Sequence, residues 1–153
     1  MHLRETNISI REANKADIAT IQTLLMQAQL STDDILADKT RYWLAHNADG
    51  EPIGVVGLEL GDSSVLLRSA AVSSSLRGQG FGTALVQHAL GAATGYRYVY
   101  LFSTEAGAYW QRLHFHEVPV SELVAALPEV PQVKQYEVLG WLPTEVAWRR
   151  DLI

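Results

Sequence analysis

Between Arg77 and Gly82 the chain reads Arg-Gly-Gln-Gly-Phe-Gly, with a glycine at every second position behind one cationic side chain. A strand-forming run, Val65 to Val72, leads into this loop. A helical pattern leaves it, because Gly82, Leu85, Val86, Ala89, Leu90 and Ala93 fall on one face at i, i+3, i+4, i+7, i+8 and i+11. A glycine-rich turn that opens a helix lets several backbone N–H groups converge on one point, and the helix start adds about half a positive charge there. Side chains at Gly78, Gly80 and Gly82 would hold a ligand away from that backbone. The chemistry predicted is a pyrophosphate cradle, with Arg77 supplying a full charge. His114 and His116 share a strand face, but two imidazoles fall short of a metal-ligand set.

The elements that must position this loop follow from pattern and turn chemistry. Ile8 and Ile10 alternate with polar neighbours as in a short first strand. Asn14 stands at a helix-cap position with Asp17 three residues on, ahead of Ile18, Ile21, Leu25 and Ala28 at helical spacing. Ser31-Thr32-Asp33-Asp34 reads as a second helix start, running to about Asp38, with Asp33, Asp34 and Asp38 near its beginning. Residues 41–46, 53–60 and 65–72 form a meander, turned by Asp49-Gly50 and by Gly61-Asp62-Ser63. After the helix closed by Gly95 come a buried-type strand at 98–102, a short helix at 105–113 and a strand at 114–118. A small helix near 122–127, a proline-punctuated segment and a last strand at 146–150 complete the chain. That order predicts an α/β (α+β) fold with a mixed, mostly antiparallel sheet of six to seven strands, helices on both faces and one parallel crossover at 65–102.

Length and composition narrow the classes. The 153 residues suit one domain, 1–153, able to bury about 68–70% of its unfolded surface without staples. Cysteine is absent, which excludes disulfides, thiolate metal sites and a cysteine nucleophile. Twelve basic and 17 acidic side chains leave a net charge of −5, which argues against a nucleic-acid or anionic-membrane partner. Residues 1–76 carry 6 basic and 10 acidic groups, and residues 77–153 carry 6 and 7, so the acidity is mostly N-terminal. No targeting signal and no apolar run of about 20 residues is visible. The expectation is a cytoplasmic protein.

A phosphate cradle alone does not name its ligand. A dinucleotide-binding module asks for G-x-G-x-x-G near the start of a domain and an acid about 20 residues on. Here the spacing is G-x-G-x-G, the loop is mid-chain, and only Glu105 falls roughly where a ribose-binding acid would sit. A Walker loop is excluded because no Gly-Lys-Ser/Thr follows. Arg-Gly-Gln-Gly-Phe-Gly instead resembles the acetyl-CoA signature (Q/R-x-x-G-x-G/A) of the GNAT N-acetyltransferase superfamily. The preceding Ala-Ala-Val resembles that family's splayed fourth strand, and the element order matches over essentially the whole chain. Within the superfamily, residues 66–153 look most like arsenic-operon-associated acetyltransferases and the acetyltransferase domain of N-acetylglutamate synthases. The segments that carry this are LLRSAAV, LFSTEAGAYWQRLHF and LPTEVAW.

The resemblance implies acetyl-CoA as co-substrate and no metal. It implies that the backbone of Ala70, Ala71 and Val72 pairs with the pantetheine arm, and that the N–H near Val72 faces the thioester oxygen. Gly78, Gln79, Gly80, Phe81, Gly82 and Thr83, with Arg77, would hold the pyrophosphate. Direct acyl transfer needs donors preorganised for charge developing on the thioester oxygen, and a neutral amine whose proton a base or water chain removes. The family often places an acidic Tyr in F-Y-x-x-L-G-F. Here Trp110 holds that position and Tyr109, the candidate acid, sits one residue earlier, about 100° around the helix. Packing is the alternative role for both rings, and a thiol leaving group makes an acid dispensable. His114 stands where the family carries Gly. Many relatives carry a Glu base where Leu66 stands, so Glu59 is the substitute candidate, acting directly or through water. Arg68, inside an apolar strand, pairs with an acid such as Glu59 or grips an acceptor carboxylate. Arg68 and Ser103 are the candidate acceptor-binding residues. Asp33, Asp34 and Asp38 either decorate their helix or attract a cationic amine.

The function implied is N-acetyltransfer from acetyl-CoA to the primary amine of a small molecule, an amino acid or an analogue of one, through a ternary complex. A homodimer is compatible with this. The alternatives are a catalytically weak acyl-CoA-binding sensor, motivated by the displaced Tyr and Glu, and the dinucleotide-binding module.

Overall fold

A computed structural model describes residues 8–76 and 78–152. Strand β1 (Ser9–Glu12) ends in a turn closed by its own side chains: Asn14 Oδ1 accepts from Ala16 N at 2.9 Å, and Asp17 Oδ2 accepts from Asn14 N at 2.8 Å. This reciprocal cap opens a 3-10 turn, Lys15–Asp17, and then α1 (Ile18–Gln27), which buries Ile21, Leu24 and Leu25. The meander follows as β2 (Thr40–His46), β3 (Pro52–Leu60) and β4 (Ser64–Val72), with Gly50 at φ +81° in the first turn. Then come α2 (Phe81–Ala92), β5 (Tyr98–Phe102), α3 (Gly107–Arg112) and β6 (His116–Val118). The chain closes with α4 (Val120–Ala126), α5 (Pro131–Leu139), a 3-10 turn at Leu142–Thr144 and β7 (Ala147–Asp151).

Among the described residues seven strands form one mixed sheet in the order β1-β2-β3-β4-β5-β7-β6. β4 and β5 are parallel, as the α2 crossover requires, while β1–β2, β5–β7 and β6–β7 are antiparallel. The α/β expectation therefore holds. β3 is buried along nearly its whole length, the mark of an interior strand covered on both faces.

The chain divides into two compact units. The first comprises the described residues up to Leu58 together with Ser69–Ala92, and its core gathers Ile21, Leu25, Tyr42, Leu44, Val55 and Ala71. A Cβ at Gly57 would sit 2.6 Å from the Tyr42 ring, so only glycine lets that ring pack across β3. The second comprises Glu59–Arg68 with the described residues from Ala93 on, and its core gathers Leu66, Tyr100, Leu123, Leu127, Val133 and Ala147. No helix among the described residues is long and apolar enough to cross a membrane.

Two helical expectations fail, and the strand expected at 114–118 begins only at His116, with His114 in the turn before it and so on no strand face with His116. Residues 31–38 form successive turns, not a helix, because Asp34 and Leu36 take φ +62° and +56°, a left-handed backbone that cannot continue a right-handed helix. The Ser31 hydroxyl accepts from Asp33 N at 3.1 Å, so a side chain satisfies the backbone locally, and Asp33, Asp34 and Asp38 have no helix start to decorate. Conversely, the proline-punctuated segment contains α5. Pro131 stands in its first turn and Gly140, at φ +72°, closes it, so both residues that read as breakers are the punctuation of a helix.

Candidate functional site

The glycine-rich loop lies wholly in the first unit, apart from Arg77, which is outside the described residues. A 3-10 turn, Ser74–Leu76, leads from β4 toward it. Gly78 and Gly80 have φ +81° and +87°, a region that a side chain would strain. Gly80 caps α2, its carbonyl accepting from Ala84 N at 3.0 Å, so the N–H groups of Phe81 and Gly82 begin the helix with no carbonyl of their own helix to meet. Phe81 is the anchor: its side chain is buried in register with Leu85, Val86, Ala89 and Leu90. A Cβ at Gly78 would meet nothing within 4 Å, which leaves open space before that backbone. The Oε1 of Gln79 is buried without a hydrogen-bond partner; as an acceptor it calls for a donor, so what favours an anion is the glycine backbone and the helix start alone. The loop thus fits an anionic group such as a pyrophosphate. Ala70 is exposed, Ala71 buried and Val72 half-buried in the last residues of β4.

β4 changes character just before those residues. Its ladder with β5 pairs Ser64 with Tyr98, Val65 with Val99 and Leu66 with Tyr100, and goes no further. Ser69 then takes φ +61°, a left-handed kink in the middle of the strand.

The second unit holds the other candidates. Arg68 Nη1 and Glu59 Oε2 are 2.7 Å apart, with side chains 2% and 0% exposed. Glu59 Oε1 also accepts from Gln132 N at 2.9 Å, at the start of α5. Its charge is therefore answered by a guanidinium on one oxygen and a helix N-terminus on the other. Of the two partners weighed for Arg68, an acid and a ligand, the structure supplies the acid. Gln132 was invisible to sequence reasoning, because α5 itself was.

Ser103 is tied down by backbone: its N donates to Val146 O at 2.9 Å and its O accepts from Trp148 Nε1 at 2.9 Å. Tyr109 is half-buried on α3, its ring 4.9 Å from Trp110 and 5.8 Å from the Arg112 guanidinium. Trp110 stacks edge-on against Phe115 at 5.4 Å, and its Nε1 is buried without a partner. His114 holds φ +69°, so the geometry that a glycine would give is kept at that position by a histidine.

Two titratable groups were missed. Tyr136 on α5 packs at 5.0 Å from Phe102, and burial pushes its phenol upward, as do the carboxylates of Glu145 and Glu59 against the opposing charge of Arg68. Glu145, after the 3-10 turn, is raised by burial. The available signal was the LPTE string, where a proline turn places one acid before an apolar strand.

The family model described as Acetyltransferase (GNAT) family matches residues 9–115. No curated protein matches the chain. Among solved structures, a GNAT-family acetyltransferase from Staphylococcus aureus aligns over 95% of this chain and 99% of its own, at 17% identity and a TM-score of 0.74. N-acetylglutamate synthase from Neisseria gonorrhoeae, solved with coenzyme A and N-acetyl-glutamate, aligns over 95% of this chain at 23% identity and a TM-score of 0.76. The chain corresponds to 35% of that synthase. A Mycobacterium tuberculosis protein in complex with CoA aligns over 95% of this chain and 99% of its own, at 17% identity and a TM-score of 0.72. At these identities the shared property is the fold.

Proposed function

We propose that this chain, which belongs to the acetyltransferase (GNAT) family and is an acyltransferase, carries acetyl from acetyl-CoA directly to the primary amine of a small molecule, an amino acid or an analogue of one. The proposal treats residues 1–153 as one N-acetyltransferase domain. The observation that carries the donor side is the start of α2: two left-handed glycines and first-turn amides gathered before one helix. Gly78 to Thr83 and Arg77 would hold the pyrophosphate, and the backbone of Ala70, Ala71 and Val72 would take the pantetheine arm as an added strand. When bound, acetyl-CoA supplies an activated thioester. Val72 would orient its carbonyl through a backbone N–H, a donor fixed before charge develops there.

On the acceptor side the reading draws support from the neisserial synthase, whose ligand is an acetylated amino acid. Ser103 and Arg68 are assigned to that side. Glu59 and Tyr109 are assigned as base and acid. Because Glu59 is sealed between Arg68 and Gln132, its route to an amine proton runs through a partner group or water, and the pH–rate profile of Glu59→Gln decides the matter. An unaltered profile removes Glu59 as base. The decisive experiment is a screen for free-CoA release over amino acids, polyamines, aminoglycosides and amino-acid-like toxins. Release above the solvent background with at least one amine is expected. Tight acetyl-CoA binding with no release across the panel would favour the second reading, an acyl-CoA sensor, which the engagement of Glu59 on both oxygens supports.

A further inference from the structure

The second unit contains a carboxylate, Glu145, to which no role has been assigned. Glu145 is half-buried, and among the described residues no hydrogen bond or ion pair holds its carboxylate. Its backbone, by contrast, is fixed on both sides. Glu145 N donates to Leu142 O at 3.2 Å, closing the 3-10 turn, and the next residue, Val146, accepts from Ser103 N at 2.9 Å at the end of β5. A side chain held on a rigid backbone without an internal partner is positioned for an external one.

Aromatic faces stand around the same turn. Trp141 precedes it, its N donating to Tyr136 O at 2.9 Å and its carbonyl accepting from the Thr144 hydroxyl at 2.9 Å. Its indole is 48% exposed, an unusual state for a tryptophan, and its ring centroid lies 5.4 Å from that of Tyr136. Tyr136 in turn packs on Phe102 at 5.0 Å. Glu145 lies close enough for its charge to act on Tyr136, whose ring meets that of Trp141, and a carboxylate in such company can recognise an organic ammonium, since it supplies charge while the ring quadrupoles add attraction. Glu145 would repel a carboxylate from this seat, so an amino acid would present its ammonium end here and its carboxylate elsewhere.

We propose that Glu145, Trp141 and Tyr136 form the seat that first takes up the acceptor amine as an ammonium, before a base or water chain removes its proton for attack. This rests on the acetyl-transfer reading and deepens it, since it names a small organic ammonium as the acceptor's recognised end. Burial raises the pKa of Glu145, so a carboxylate that gains an ammonium partner recovers the solvation it lost.

The test separates this seat from transfer itself. Tetramethylammonium cannot be acetylated, and tert-butanol has similar bulk without charge. Titrating tetramethylammonium into the whole chain without acetyl-CoA should change tryptophan emission, and Trp141→Phe should abolish the change. Glu145→Gln should weaken the response about tenfold, near 1.4 kcal/mol, with Glu145→Asp recovering part of it. In turnover with ethylamine or phenethylamine, Glu145→Gln should raise the KM for amine and leave the KM for acetyl-CoA unchanged. An equal response to tert-butanol, no response at all, or a response untouched by Glu145→Gln would overturn the inference. Failure of every amine to release CoA would instead strike the transfer reading, leaving the tetramethylammonium result to judge the seat alone.

Discussion

His114 holds a left-handed backbone on an exposed side chain, and that conformation costs a residue with a Cβ about 1–2 kcal/mol. Glycine removes the strain but brings more unfolded-state freedom, so the net gain from His114→Gly should be under about 1 kcal/mol. For a chain of this length that is a rise in Tm of about 2 °C, readable by calorimetry. Glu59 and Arg68 make the opposite case. Removing one partner of a buried pair leaves the other charge stranded, so Glu59→Gln should cost about 3–5 kcal/mol in urea unfolding. Replacing both, as Glu59→Leu with Arg68→Met, should recover most of that loss, because the pair's attraction is largely offset by its desolvation. A double variant no more stable than the single one would show that Gln132 N, not the ion pair, is what Glu59 mainly serves. The need of Arg68 for an acid was legible in the sequence, since a cation inside an apolar strand must be answered. That a helix start would also claim Glu59 was not, because nothing in the spacing of Glu59 and Gln132, 73 positions apart, links them.

At the scale of elements, legibility followed the length and regularity of the pattern. β2 to β4, α2 and β5 carry unbroken alternation, apolar runs or a helical stripe, and each lies close to where the sequence placed it. Residues 31–38 and 131–139 did not, for one shared reason. Ser, Asp, Pro and Gly serve helix ends and tight turns equally well, and tertiary contacts choose between them. Where the cap was reciprocal, at Asn14 and Asp17, the reading succeeded. Arg11 adds two bonds to Asp17, at 2.9 and 2.7 Å, and holds that carboxyl down to about 2. A depressed folded pKa gives stability that is present above the unfolded value, near 4, and lost as pH falls through about 2. Asp17→Asn should therefore flatten the stability–pH curve between those limits and lower Tm at pH 7, as followed by thermal melts. The α2 loop makes a sharper demand. Gly80 has φ +87°, so Gly80→Asp adds both strain and a negative charge where the helix start favours an anion. Acetyl-CoA affinity should fall at least tenfold, and Arg77→Ala should weaken it as well. Unchanged affinity in both variants would contradict the cradle.

For the molecule as a whole, the net charge of −5 poses a question, because the donor it is expected to bind is itself polyanionic. Long-range attraction cannot supply that affinity, so it must arise within a few ångströms, from loop amides, one helix end and Arg77. The distribution of charge permits this, since residues 77–153 are nearly balanced at 6 basic and 7 acidic groups, and the excess acid lies in residues 1–76. A ligand that binds only the folded chain stabilises it by about 2.7 kcal/mol at a hundred times its Kd, which here corresponds to a Tm rise of about 5–10 °C. Acetyl-CoA and CoA should both give such a shift, since the cradle reads the part they share, and NAD(P) should give none. Stabilisation by NAD(P) without CoA would transfer the loop to the dinucleotide reading. Salt extends the same experiment. Exposed charges are screened over about 8–10 Å near physiological ionic strength, so distant acids fall silent while contacts inside the loop persist. The acetyl-CoA shift should accordingly survive a move from about 50 to about 200 mM salt. A steep loss across that range would mean that a diffuse basic surface, and not the start of α2, carries the donor.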